Sequence, residues 1–68
     1  MQVSIFVSRN VSLARFEAIV RELAESGVEV GATVPSIGLI TASIRHAAEI
    51  EALRLIDGVS AVRTKPRR

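Results

Sequence analysis

Residues 34–44, in the middle of the chain, constrain the fold more than any other part of this sequence. They place one proline and one glycine among apolar and β-branched residues, which is typical of two short strands joined by a tight turn. Helical patterns stand on both sides of this segment. With one further strand at each end of the chain, the order of elements becomes strand, helix, strand, strand, helix, strand.

Side-chain periodicity supplies the remaining elements. Residues 2–8 alternate, with Val3, Ile5 and Val7 on one side and Phe6 on the other, as in a half-buried strand. Apolar residues then recur at the spacing of one buried helical stripe. The pattern predicts helices over 12–26 and 46–56, and strands over 28–34, 37–44 and 59–64. The stripe of the first helix consists of Leu13, Phe16, Ile19, Val20 and Leu23.

Local signals set the predicted boundaries. Asn10 or Ser12 can cap the first helix, and Gly27 is placed to end it in a left-handed conformation. Pro35 cannot donate a ladder hydrogen bond and is expected to stop the second strand. The pairs Glu17–Arg21 and Arg21–Glu25 are expected on the exposed side of the first helix.

These elements predict an α+β, ferredoxin-like βαββαβ sandwich, in which a four-stranded antiparallel sheet carries two helices on one face. A chain of 68 residues has room for one core, and without cysteine it has no disulfide to support that core. We expect one domain over residues 1–64 and a flexible basic tail over residues 65–68.

Within the second strand, Val28, Val30, Ala32 and Val34 are expected to share one face.

Because both helices cover one face of the sheet, the other face is left open. The open side of the sheet is expected to hold Phe6, Ile37, Leu39, Thr41, Ala61 and Arg63. Phe6 and Leu39 would then form an apolar centre, and contiguous apolar patches mark docking surfaces. Scattered surface hydrophobic residues, which are common, are the alternative interpretation.

The charge is unevenly distributed along the chain. Residues 1–62 have a net charge of −2, whereas residues 63–68 carry four positive charges and no acid. This pattern argues against a uniformly basic nucleic-acid binder. Phe6 is placed like a base-stacking aromatic residue of an RNA-recognition module, but the third strand offers no second aromatic. Weak phosphate binding by the tail stays open as an alternative.

Catalytic chemistry is not indicated, and we expect a non-enzymatic protein without cofactor or metal. His46 is the single histidine and has no cysteine near it, so it makes a poor metal site. Lys65 is the single lysine and belongs to the basic tail, where no pocket would lower its pKa. The start of the chain shows neither a signal peptide nor an apolar run that could span a membrane, so we expect a cytoplasmic protein.

Residues 34–44 and 50–62 resemble the subtilisin propeptide-like proteinase inhibitor family. The second segment contains an ending of the form Leu-x-x-(Pro)-Gly-Val-x-x-Val, within residues 53–62. Asp57 stands where that family usually has proline. Arg63, Thr64 and Lys65 follow Val62 where acidic residues are frequent in the family.

The resemblance implies a protein partner, a subtilisin-like serine protease, and two binding regions. The open sheet face would dock on the protease surface, while the tail would lie in the substrate cleft as a product mimic. Arg67 and Arg68 would suit a dibasic-specific protease. A small homodimeric, regulatory or ligand-binding domain is the alternative. The implied docking residues are Phe6, Leu39, Thr41 and Ala61, and the implied tail residues are Arg63, Thr64, Lys65, Pro66, Arg67 and Arg68.

Overall fold

The computed structural model describes residues 1–64, and the predicted tail over residues 65–68 lies outside the described residues. These described residues form four strands and two α-helices in the order β-α-β-β-α-β, as predicted. The elements are β1 (Gln2–Val7), α1 (Leu13–Glu25), β2 (Glu29–Val34), a 3₁₀ turn (Pro35–Ile37), β3 (Leu39–Ser43), α2 (Glu49–Arg54) and β4 (Val59–Thr64).

The four strands form one antiparallel sheet in the order β2-β3-β1-β4. The predicted α+β ferredoxin-like fold is therefore confirmed. β1 and β3 are the central strands, and Ile5 pairs with Ile40 across them. β4 follows on the other side of β1, where Val62 pairs with Ile5.

The core lies between one face of this sheet and the two helices. Alternate residues of β1 and β3 point into it, and Ile5 and Ile40 are completely buried. α1 contributes Phe16, Ile19 and Leu23 of its predicted stripe, and α2 contributes Leu53. Leu13, which was predicted to belong to the buried stripe, is instead exposed. The buried cluster consists of Val3, Ile5, Val7, Phe16, Ile19, Leu23, Val28, Ile40, Ala42, Ile44 and Leu53.

α1 begins and ends at residues suited to those positions. The hydroxyl oxygen of Ser12 accepts the backbone N–H of Arg15 at 3.1 Å, which satisfies one of the free donors of the first turn. Asn10 does not cap the helix. Gly27 follows the helix with a φ of +95°, in the left-handed region that favours glycine.

Replacing Ser12 with alanine is expected to lower the free energy of unfolding by about 1 kcal/mol, because the Arg15 N–H loses its intramolecular acceptor. Urea denaturation followed by circular dichroism would measure the loss. Asn10→Ala is the matched control, and its effect should stay within about 0.5 kcal/mol. Equal losses for the two variants would show that Ser12 is not the effective cap.

The predicted face of β2 is wrong in its second half. Val30 pairs with Ala42, whereas Thr33 pairs with Ile40, so β2 holds one more residue than β3 over this stretch. This extra residue is a β-bulge, and it exchanges the two faces of the strand. Val30 consequently packs against the core, while Val34 pairs with Leu39 on the opposite side of the sheet.

The connection between β2 and β3 also differs from the prediction. Pro35 ends β2 as expected, but the residues after it form a 3₁₀ turn and β3 begins only at Leu39. Ile37 therefore belongs to the turn, with 64% of its surface exposed, and not to the strand. Gly38 closes the turn at a φ of +67°, and its carbonyl accepts the Val7 N–H at 2.7 Å.

α2 is shorter than its apolar pattern suggested. The carboxylate of Glu49 accepts the backbone N–H groups of Arg45 and His46, at 3.2 and 3.1 Å, and this holds the preceding residues in a turn.

On α1, a guanidinium nitrogen of Arg15 lies 3.0 Å from a carboxylate oxygen of Glu22, and the same guanidinium donates a hydrogen bond to the backbone carbonyl of Asp57. Among the described residues this pair takes the place of the predicted Glu17–Arg21 and Arg21–Glu25 contacts.

Candidate docking face

The side of the sheet that faces away from the helices forms a surface that we call the open face. It consists of the outward side chains of the four strands, and the strand register arranges them in three rows across the sheet. Its residues are Gln2, Ser4, Phe6, Glu29, Val34, Leu39, Thr41, Ser43, Ala61 and Arg63.

The first row, which we call the apolar row, runs across all four strands. Val34 pairs with Leu39, Leu39 with Phe6, and Phe6 with Ala61. All four are half-buried, and α1 and α2 both pack on the other side of the sheet. An aromatic ring on a central strand thus lies beside aliphatic groups on the side of the sheet that neither helix covers.

The middle row is polar and includes Thr41, Ser4 and Arg63. The Thr41 hydroxyl accepts the backbone N–H of Ala32 at 2.8 Å and so holds the bulge of β2 in place. A Cβ atom at Gly31 would lie 2.8 Å from the same oxygen, so glycine is needed there for the close approach. Because its hydroxyl is occupied, Thr41 offers a partner mainly its methyl group.

The third row contains Gln2, Ser43 and Glu29 at the far end of the open face. Glu29 on β2 and Arg63 on β4 are both exposed and mark opposite edges. Three strand spacings separate them, or about 14 Å. Within residues 1–64, neither side chain forms an ion pair. The open face is therefore apolar at one end of the strands. Toward the opposite end it carries a negative charge at the β2 edge and a positive charge at the β4 edge.

The structure brings together most of the residues predicted for docking. Phe6, Leu39, Thr41 and Ala61 lie on the open face. Ile37 does not, because it lines a groove with Leu13 and Phe16 at the end of the sheet. Sequence reasoning missed Val34, whose face depends on the bulge, and Glu29, whose relation to Arg63 depends on strand order.

Part of the predicted tail belongs to the folded domain. Arg63 pairs with Ser4 and Thr64 with Val3, so both residues are in β4. Lys65, Pro66, Arg67 and Arg68 lie outside the described residues. Thr64, the last described residue, ends the edge strand β4 at the end of the sheet that holds Gln2 and Ser43.

Comparisons with family models, with curated proteins and with solved structures found no match. Within residues 1–64, no group of three or more histidine, cysteine or acidic side chains could hold a metal ion, and no helix is long and apolar enough to cross a membrane. Among the described residues, the open face is the strongest candidate site.

Proposed function

We propose that this protein is a non-enzymatic interaction module that docks on a subtilisin-like serine protease through its open face. The observation that carries this proposal is the apolar row, which spans the sheet on the side opposite both helices. The likeness of residues 34–44 and 50–62 to propeptide-like inhibitors supports the choice of partner. In this account the basic residues after Thr64 enter the substrate cleft.

The open face has the composition of a small docking surface. Phe6 lies on a central strand with Leu39 and Ala61 as its direct cross-strand neighbours. Interface energy is concentrated in a few central anchors, among which aromatic residues are enriched, and polar groups surround them. The serine, threonine and charged residues of the other two rows supply that polar surround on this face.

The position of β4 suits a tethered tail. Because β4 lies at the edge of the sheet, its last residue, Thr64, stands at the border of the open face, and residues 65–68 follow it in the sequence. An extended peptide can add a strand to the substrate-binding edge of a protease, with alternate side chains in its pockets. Docking of the domain would raise the effective concentration of that peptide at the cleft.

The proposal predicts that a chain ending at Thr64 loses most of its inhibition of a dibasic-specific subtilisin-type protease, by about 100-fold or more. Thr64 is the right end point, because Arg63 and Thr64 pair with β1 and an earlier cut would damage the sheet. Inhibition constants for the full and shortened chains, against a panel of subtilisin-type proteases, would measure the effect.

A matched control separates the tail from net charge. Replacing Arg67 and Arg68 with alanine should weaken inhibition strongly, whereas replacing the exposed Arg9 and Arg21 removes the same charge and should change it less than threefold. No inhibition of any protease in the panel by the folded full chain would refute the proposed function. Unchanged inhibition by the shortened chain would refute the role of the tail.

A further inference from the structure

Side-chain size along the apolar row is arranged symmetrically about the middle of the sheet. β1 and β3 are the two central strands, and each presents one large apolar side chain at the same height, Phe6 and Leu39. Outside them, at the two edges, lie the smaller apolar residues Ala61 and Val34. From one edge of the sheet to the other, the side chains of the apolar row are therefore small, large, large and small.

A second copy of the chain can stack on this face about a two-fold axis parallel to the strands. Such an axis reverses the order of the strands but preserves height along them, so β1 of one copy lies over β3 of the other. Phe6 then meets Leu39 of the second copy, and Leu39 meets Phe6. Facing sheets pack about 10 Å apart, which lets side chains of this size interdigitate.

The same axis brings opposite charges together. It places the β4 edge of one copy over the β2 edge of the other, so that Arg63 approaches Glu29 twice in the dimer. The two residues differ in height by one outward position, about 7 Å along the strand, which the two long side chains can span. The interface is isologous, as in most homodimers.

The other in-plane two-fold axis, perpendicular to the strands, produces a poor contact. When the two open faces overlap fully, it keeps strand order and reverses height, which stacks the apolar row on the third row of Gln2, Ser43 and Glu29. It also brings Arg63 close to Arg63 of the second copy. Like charges and unmatched polarity disfavour that arrangement, so the open face itself selects the axis parallel to the strands.

The size of the face sets the strength of this contact. Four strands about 4.8 Å apart and about six residues long make a surface of roughly 15 by 20 Å. Each copy would bury only a few hundred Å², which is less than the roughly 800 Å² per partner of a standard interface. The contact should therefore be weak and easily displaced.

We infer that the open face binds a second copy of this chain, with Arg63 of each copy against Glu29 of the other. This inference goes beyond the proposed function, because it concerns the protein before it meets a partner. Self-association covers the apolar row, and docking on a protease requires that the dimer dissociate. Dimerisation and protease binding are thus mutually exclusive.

A charge exchange tests this pairing directly. Sedimentation equilibrium of the full chain at low salt, from micromolar to millimolar concentration, should show a reversible monomer–dimer equilibrium. Glu29→Arg and Arg63→Glu should each weaken dimerisation by about tenfold, because each turns two attractions into two repulsions. The double variant restores opposite charges and should recover to within about threefold of the original chain.

A charge reversal outside the open face serves as the control for dimerisation. Glu25→Arg makes the same change of charge on α1, away from the open face, and should leave the dimerisation constant within about threefold. A monomer at every concentration would overturn the inference, and so would a double variant that dimerises more weakly than either single variant. Because these measurements need no protease, their failure would leave the inhibition of proteases as a separate result.

Discussion

Gly38→Ala is expected to destabilise the domain by about 2–5 kcal/mol. The residue has a φ of +67°, where a side chain costs about 1–2 kcal/mol. A Cβ atom would also lie 2.6 Å from the carbonyl oxygen of Val7, and overpacking of this kind costs about 1–3 kcal/mol. The obstacle is backbone, and the Gly38 carbonyl is itself bonded to the Val7 N–H, so β1 and β3 would have to separate locally.

Gly27→Ala provides the matched control. Gly27 also has a positive φ, but beyond its two chain neighbours no described atom lies within 4 Å of the position that its Cβ would occupy. The Gly27→Ala variant should therefore lose only the conformational part of the free energy of unfolding, about 1–2 kcal/mol. Urea denaturation followed by circular dichroism would compare the two. Equal losses would show that the close approach of Gly38 to β1 does not matter for stability.

Among single substitutions, the largest effect on inhibition is expected from Phe6→Ser. The ring is the one aromatic group of the open face and lies between Leu39 and Ala61 on the neighbouring strands. Removing a central aromatic anchor typically costs at least 2 kcal/mol of binding, so inhibition of the target protease should weaken by about 30-fold or more. Dimerisation of the chain should weaken with it, because both contacts use the apolar row.

Ile37→Ser is the control for this variant. Ile37 is an exposed apolar residue of the 3₁₀ turn and is not on the open face. Its replacement should change inhibition by less than threefold. Both variants should retain the circular dichroism spectrum of the original chain. Equal weakening by the two would mean that general surface hydrophobicity, rather than the open face, determines binding.

Local sequence signals were sufficient to predict the fold. The alternation around Ile5, the helical stripe through Ile19 and the stop signals at Gly27 and Pro35 each act within a few residues. Element order then follows, because short connections and antiparallel pairing leave few topologies for four strands and two helices. Phe6 and Leu39 were placed on the open face for the same reason, since period-two alternation is read directly from each strand.

The remaining part of the site depends on contacts between distant segments. The bulge in β2 is held by the Thr41 hydroxyl on another strand, and nothing in the local pattern of Gly31 and Ala32 indicates it. Without the bulge, Val34 is assigned to the core face and is left out of the apolar row. The relation of Glu29 to Arg63 likewise emerges only when strand order and register are both known.

The most direct test of the docking account is methyl NMR of the labelled chain mixed with an unlabelled, catalytically inactive subtilisin-type protease. The account predicts shifts or broadening at the methyl groups of Leu39, Val34 and Ala61 on the open face. Leu13 and Leu55 serve as internal references, because they are exposed and lie on helical segments away from that face. Changes confined to these two leucines, or no change for any protease in the panel, would contradict the account.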